Sequence, residues 1–170
     1  SKLTHLSGQH IRVAEDARLL AELESFLASQ QRPPLTAAQH SALLRAMPGM
    51  KERAKTLPEL LEMGRFALIE RPIEADAAGT KLLDPASRGM LSRLTSRLQH
   101  ASWAADQLEA CVRDFAAEEG KGLGKVAQPI RAALTGGGVS PSVFDLMEIL
   151  GREESIARLL DSAEAPAAAG

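Results

Sequence analysis

Apolar residues recur every three or four positions along most of this chain, the spacing of one helical face after another. Leu19, Leu20, Leu23, Phe26 and Leu27 mark a helix over about 15–29. Pro33-Pro34 breaks the chain, and Thr36 with Gln39 has the spacing of a capping box. The helix it opens runs through Leu43, Leu44 and Met47, and Pro48-Gly49 is expected to end it. Thr56 with Glu59 forms a second such box, opening a helix through Leu60, Leu61 and Leu68. From Arg71 to Pro85 the periodicity lapses, punctuated by Pro72, Gly79 and Pro85, which marks a subdomain boundary.

A basic helix through Met90, Leu91, Leu94 and Leu98 follows. Ser102 is placed to cap the next helix, whose stripe is Trp103, Leu108, Cys111, Val112 and Phe115. Gly120, Gly122 and Gly124 read as a flexible turn, and Pro129 as the first position of a new helix. That helix stops at Thr135-Gly136, and Ser140-Pro141 reads as the cap and first turn of the one after it. No strand-like alternation is long enough to assign. The pattern predicts an all-α chain of two consecutive helical subdomains, residues 1–75 and 76–163, with a disordered Ala-rich tail over 164–170.

Composition narrows this picture. With 170 residues the chain can bury a core, and 45% hydrophobic with 25% charged residues is an ordinary globular balance. Aromatic content of 3%, with no Tyr, makes that core aliphatic. No apolar run approaches the roughly 18 residues of a membrane span, and no signal-peptide pattern opens the chain, so the expected location is the cytoplasm. The single Cys111 excludes an internal disulfide framework and reads as a small core hydrophobe. Net charge is −2, which weighs against a free-standing nucleic-acid binder. Its distribution matters more, since screening confines each charge to about 10 Å. Residues 81–100 carry Lys81, Arg88, Arg93 and Arg97 against Asp84 alone, and Lys121, Lys125 and Arg131 precede Asp145 and Glu148.

Several catalytic readings fail on context. Gly120-Lys121-Gly122-Leu123-Gly124-Lys125 is rich in glycine, but a phosphate loop needs a preceding strand and a Ser or Thr after Gly-Lys, and Val126 stands there. His5, His10, His40 and His100 show no metal-ligand spacing with Cys111. No strand-borne nucleophile elbow occurs. No catalytic residue and no metal ligand is assigned. Two helices around a tight glycine turn, with Arg131 facing the gap, look instead like a recognition surface.

The stretch Pro129-Ile130-Arg131-Ala132-Ala133-Leu134-Thr135-Gly136, followed by Ser140-Pro141, resembles a signature of the anticodon-binding region of bacterial glutamyl-tRNA synthetases. Leu3-Thr4-His5-Leu6-Ser7-Gly8-Gln9-His10-Ile11-Arg12 is similar to the family's Leu-x-x-Leu-Asn-Gly-x-Tyr/His-Ile stretch. Arg53-Ala54-Lys55-Thr56-Leu57 is similar to its Arg-x-Lys-Thr-Leu segment. Ser7 departs from the usual Asn, and Gln128 stands where some members carry a larger or aromatic side chain.

The resemblance implies a tRNA anticodon-recognition module of the helical bundle or cage type. Arg53 would lie by the first anticodon base, offering a donor fork or a stacking plane. Arg131, Ser140, Pro141 and Val143 would form a second wall of the pocket, closed by Leu123. Arg113 would join it, although pairing with Glu109 four residues back explains that arginine equally well. Lys121 and Lys125 could touch phosphates. The His-Ile-Gly-His and Lys-Met-Ser-Lys-Ser signatures of class I catalysis are missing from the sequence. The chain therefore reads as a piece of a longer glutamate–tRNA ligase, inactive by itself, with ATP and Mg²⁺ belonging to an absent catalytic part. The implied partner is tRNA-Glu, with tRNA-Gln also open, and neither DNA nor a membrane is expected; the implied state is a monomer. The competing expectation is a non-catalytic helical protein–protein interaction module derived from a synthetase paralogue, which the net charge favours.

Overall fold

The structure, a computed structural model, describes residue 11 and residues 15–164. Most of the 3–12 stretch and residues 165–170 of the expected tail lie outside them. Among the described residues every regular element is helical. The chain divides into two compact units, Ser1–Leu68 and Ile69–Gly170, whereas the lapse of periodicity placed the boundary at 75/76. The intervening residues are tied to the second unit. Arg71 makes a two-pronged ion pair with Asp161, at 2.8 and 3.1 Å, and the Asp76 amide donates to Gly136.

The first unit contains α1 (Asp16–Ser29), α2 (Ala37–Lys51), α3 (Leu57–Gly64) and a 3₁₀ turn at Arg65–Ala67. The apolar face of α1, Leu19, Leu20, Leu23, Phe26 and Leu27, is buried as its spacing predicts. The Thr36/Gln39 capping box is present in both directions. The second box is altered: Thr56 accepts from the Glu59 amide, while the Glu59 carboxylate turns to the Lys55 amide at 2.7 Å. Pro48-Gly49 does not end α2, which runs on to Lys51 and buries Met50 beyond the proline. Proline inside a helix removes one hydrogen bond and crowds the carbonyl four residues back. Here it falls in the last turn, where little helix remains to be disrupted.

The second unit holds α4 (Ala77–Leu82), α5 (Pro85–Leu98), α6 (Ala105–Glu118), α7 (Leu123–Thr135), α8 (Val143–Leu150) and α9 (Arg152–Glu164). Helix α7 is the hub, packing against all five others. It begins at Leu123, not at Pro129, which is buried mid-helix. Proline costs roughly 3 kcal/mol in a helix interior. Burial of Val126, Ile130, Ala132, Ala133 and Leu134 around it offsets that cost, each large side chain contributing about 1.5–3 kcal/mol.

Two caps also differ from expectation. Ala104, not Ser102, precedes α6, because the free Ala105 amide finds a carboxylate 43 residues away, on Glu148. Ser142, not Ser140, caps α8, accepting from the Phe144 amide. Trp103 donates its indole N–H to Met147 O at 2.7 Å, and the Arg152 guanidinium lies 5.1 Å over its ring.

Candidate nucleic-acid interface

The second unit presents a turn of seven residues, 136–142, between α7 and α8. Gly136 ends α7 in the left-handed conformation, φ 82°, as glycine does at a helix C-terminus. Its amide donates to Ala132 O at 2.7 Å. Thr135 ties the turn further: its hydroxyl donates to Arg131 O at 2.8 Å and accepts from the Gly137 amide at 3.2 Å. The turn is thus a hydrogen-bonded scaffold despite three consecutive glycines.

Arg131 lies one turn before it on α7, half-buried. Its Nε donates to Ser140 Oγ at 2.7 Å, and that hydroxyl donates to Pro141 O at 2.7 Å. The Ser140 hydroxyl thus both accepts and donates, and it holds the guanidinium at Nε. The terminal nitrogens of Arg131 make no hydrogen bond among the described residues and remain available to a ligand. Pro141, next to Ser140 in the chain, is exposed, and Val139 in the turn is 94% exposed. Val139 escaped the sequence reading, though a lone branched residue after three glycines is a visible signal.

Other expected members lie elsewhere. Val143 is 1% exposed and belongs to the core, so it supports the turn without reaching its surface. Leu123 starts α7, about 12 Å along the axis from Arg131 at 1.5 Å per residue. Arg113 is exposed on α6 and pairs with Glu109 at 3.1 Å, the local alternative open from its spacing. Lys121 and Lys125 are both exposed, Lys121 in the turn before α7 and Lys125 in its first helical turn.

The first unit presents Arg53 on the short connection from α2 to α3. The Arg53 and Ala54 amides both donate to Met50 O, at 3.1 and 3.0 Å, and Ala54 and Leu57 are buried. The connection is therefore taut. The Arg53 side chain is exposed and has no hydrogen-bond or ion-pair partner among the described residues, and exposed Lys55 follows it.

The basic face expected on α5 is largely neutralised. Arg93 forks onto Glu119 at 3.1 and 2.6 Å, and Arg97 pairs with Glu118. The Arg93 hydrogen bonds hold the Glu119 carboxyl below its ordinary range and raise the Arg93 guanidinium. Arg88 is 8% exposed. The end of α6 supplies these acids from 26 and 21 residues away, which no local charge count reveals. Arg158 is buried too, and desolvation lowers its pKa against the opposing pull of Glu154.

No group of three His, Cys, Asp or Glu side chains that could hold a metal occurs among the described residues. The Gly122-Leu123-Gly124 run is a helix start, not a phosphate loop. No described helix is long and apolar enough to cross a membrane.

Comparison with known proteins gives consistent matches. The family model described as "Anticodon binding domain" matches residues 18–162. Glutamate–tRNA ligase 1 of Cereibacter sphaeroides (strain ATCC 17029) is 52% identical over 164 residues, 96% of this chain and 35% of that protein. Glutamate–tRNA ligase 1 of Dinoroseobacter shibae is 50% identical over the same length. Among solved structures, a glutamate tRNA ligase from Elizabethkingia meningosepticum, in complex with its amino acid, is 26% identical with a TM-score of 0.75. It covers 93% of this chain and 31% of its own. The chain spans about a third of the length of the relatives it matches.

Proposed function

The chain belongs to the anticodon-binding domain family, and from that premise we propose that it is the anticodon-reading module of a glutamate–tRNA ligase. The observation that carries this reading is the Arg131 fork, fixed at one nitrogen by Ser140 and open at the others, with Pro141 and Val139 exposed in the turn. Sequence-specific RNA recognition works on unstacked loop bases, read on their edges by such donors and covered by apolar or planar groups. Arg53 supplies a second planar donor from the first unit. Low aromatic content shifts the work from stacking to hydrogen bonding and aliphatic contact. Lys121, Lys125 and Lys55 provide charge for phosphates, which position the RNA without reading it. Attachment of glutamate, with its ATP and Mg²⁺, belongs to the remainder of the whole ligase, and tRNA-Glu is its substrate. The module acts as a cytoplasmic monomer.

Fluorescence anisotropy with a tRNA-Glu transcript tests the reading. Phosphate contacts release counterions, so log affinity falls linearly with log salt, by about 0.7 per contact on single-stranded RNA. A negative slope of two or more, together with loss of affinity when the anticodon is replaced, is the expected result. No detectable binding would favour the protein–protein reading that the net charge of −2 and the neutralised α5 support.

A further inference from the structure

The 136–142 turn rests on groups from the start of α4 and from α9. The Gly136 carbonyl accepts from the Asp76 amide at 2.9 Å. A Cβ on Gly79 would overlap that same carbonyl oxygen, so the first turn of α4 rests directly on the backbone of the turn. The Asp76 carboxylate locks this approach: Oδ1 caps the Gly79 amide at 2.8 Å, and Oδ2 stands 3.2 Å from where a Cβ on Gly137 would be.

A second hold comes from α9. Arg158, 2% exposed, donates Nη1 to Leu134 O at 2.8 Å and Nη2 to Ile69 O at 3.4 Å. Leu134 lies in the last turn of α7, whose carbonyls have no partner within the helix. Glu154 fixes the other edge of the guanidinium, at 3.0 Å from Nε. Burying such a charge is costly unless its donors are met. An aliphatic side chain would fill the space without reaching Leu134 O.

We propose that Arg158 and Gly79 are positioning residues for anticodon recognition: they set the height and tilt of the 136–142 turn and, through Ser140, the aim of Arg131. The inference rests on the reading of that turn as an RNA contact. Gly79 gives it a distinctive signature. At a helical position with no further demand, Ala for Gly is stabilising. Here Gly79→Ala must push α4 and the turn apart.

The test compares the chain with its Gly79→Ala, Arg158→Lys, Glu154→Gln and Arg131→Ala variants. Each is titrated with a tRNA-Glu transcript and with the same transcript carrying a different anticodon, after circular dichroism confirms folding at the assay temperature. The readout is the ratio of the two affinities, which a general loss of folded protein leaves unmoved. Gly79→Ala and Arg158→Lys are expected to lower that ratio by about tenfold, the size of one lost charged base contact. Glu154→Gln keeps an acceptor for Nε and is expected to leave the ratio within about twofold of the unaltered chain. If Arg158→Lys does not fold, Gly79→Ala carries the test. A ratio lowered by Arg131→Ala but not by Gly79→Ala or Arg158→Lys overturns the inference and leaves the RNA reading standing. Equal weakening toward both transcripts also overturns it, showing a structural role alone. A ratio unmoved by Arg131→Ala removes the reading of the turn, and the inference with it.

Discussion

Removing the Ser140 hydroxyl tests whether Arg131 is a prepared ligand-binding group. In the structure the hydroxyl accepts from Arg131 Nε and donates to Pro141 O, both at 2.7 Å. Ser140→Ala deletes both bonds and leaves the guanidinium charge in place. Unrestrained, Arg131 must be ordered when RNA binds, which costs about 0.5–1.5 kcal/mol for a side chain of its freedom. Affinity should fall roughly two- to twelvefold. Stability should change little, because the bond is half open to solvent. A net loss of roughly 0.5 kcal/mol corresponds to about 2–4 °C in melting temperature for a unit of this size. The assay is a double-mutant cycle with Arg131→Ala, by anisotropy for tRNA affinity and by circular dichroism for melting. If Ser140 acts by aiming Arg131, Ser140→Ala has no further effect once Arg131 is gone. Additive losses, or a loss from Ser140→Ala equal in both backgrounds, would refute the reasoning.

Other predictions probe the remaining residues. Arg53→Gln in the whole ligase should shift the preference between tRNA-Glu and tRNA-Gln at the first anticodon base by about 1–3 kcal/mol. It should leave melting unchanged, since the side chain has no partner among the described residues; comparison of kcat/KM for the two tRNAs checks it. Val143→Ala should lower stability by about 2 kcal/mol through lost burial and a cavity, visible as an earlier urea midpoint, while the folded fraction keeps its anticodon preference. Asp84 caps α5 by accepting from the Ser87 amide at 2.8 Å, which holds its carboxyl below the ordinary value. Its contribution is therefore fully present above the usual aspartate pKa and is lost as pH falls through the lowered one. Asp84→Ala should cost about 1 kcal/mol at neutral pH and flatten the stability curve below about pH 4, as thermal melts at several pH values would show.

The helices were legible because they rest on local periodicity. The stripe of α1 and the Thr36 cap needed nothing beyond their own segments. The errors arose where distant groups decide. Pro129 reads as a helix start until the burial of α7 among five neighbours is known. Ser102 reads as a cap until Glu148 is seen to serve the Ala105 amide. Arg93 and Arg97 read as the basic side of a helix until Glu119 and Glu118 arrive from α6. At the site, Arg131 and Ser140 were legible as members, but not the bond between them. Val143 could not be told from a surface residue by spacing alone. Arg158 looks like any solvated helix arginine, since nothing near it in sequence announces Leu134 O as its partner.

Whether this chain reads an anticodon is measured with an RNA hairpin that carries only the anticodon arm of tRNA-Glu. Isothermal titration of the chain with this hairpin and with one of identical stem but altered anticodon separates base readout from backbone attraction. Binding to the first is expected to be at least tenfold tighter, the scale of a single lost base contact, with the difference persisting as salt rises. Equal affinity for the two hairpins would contradict it.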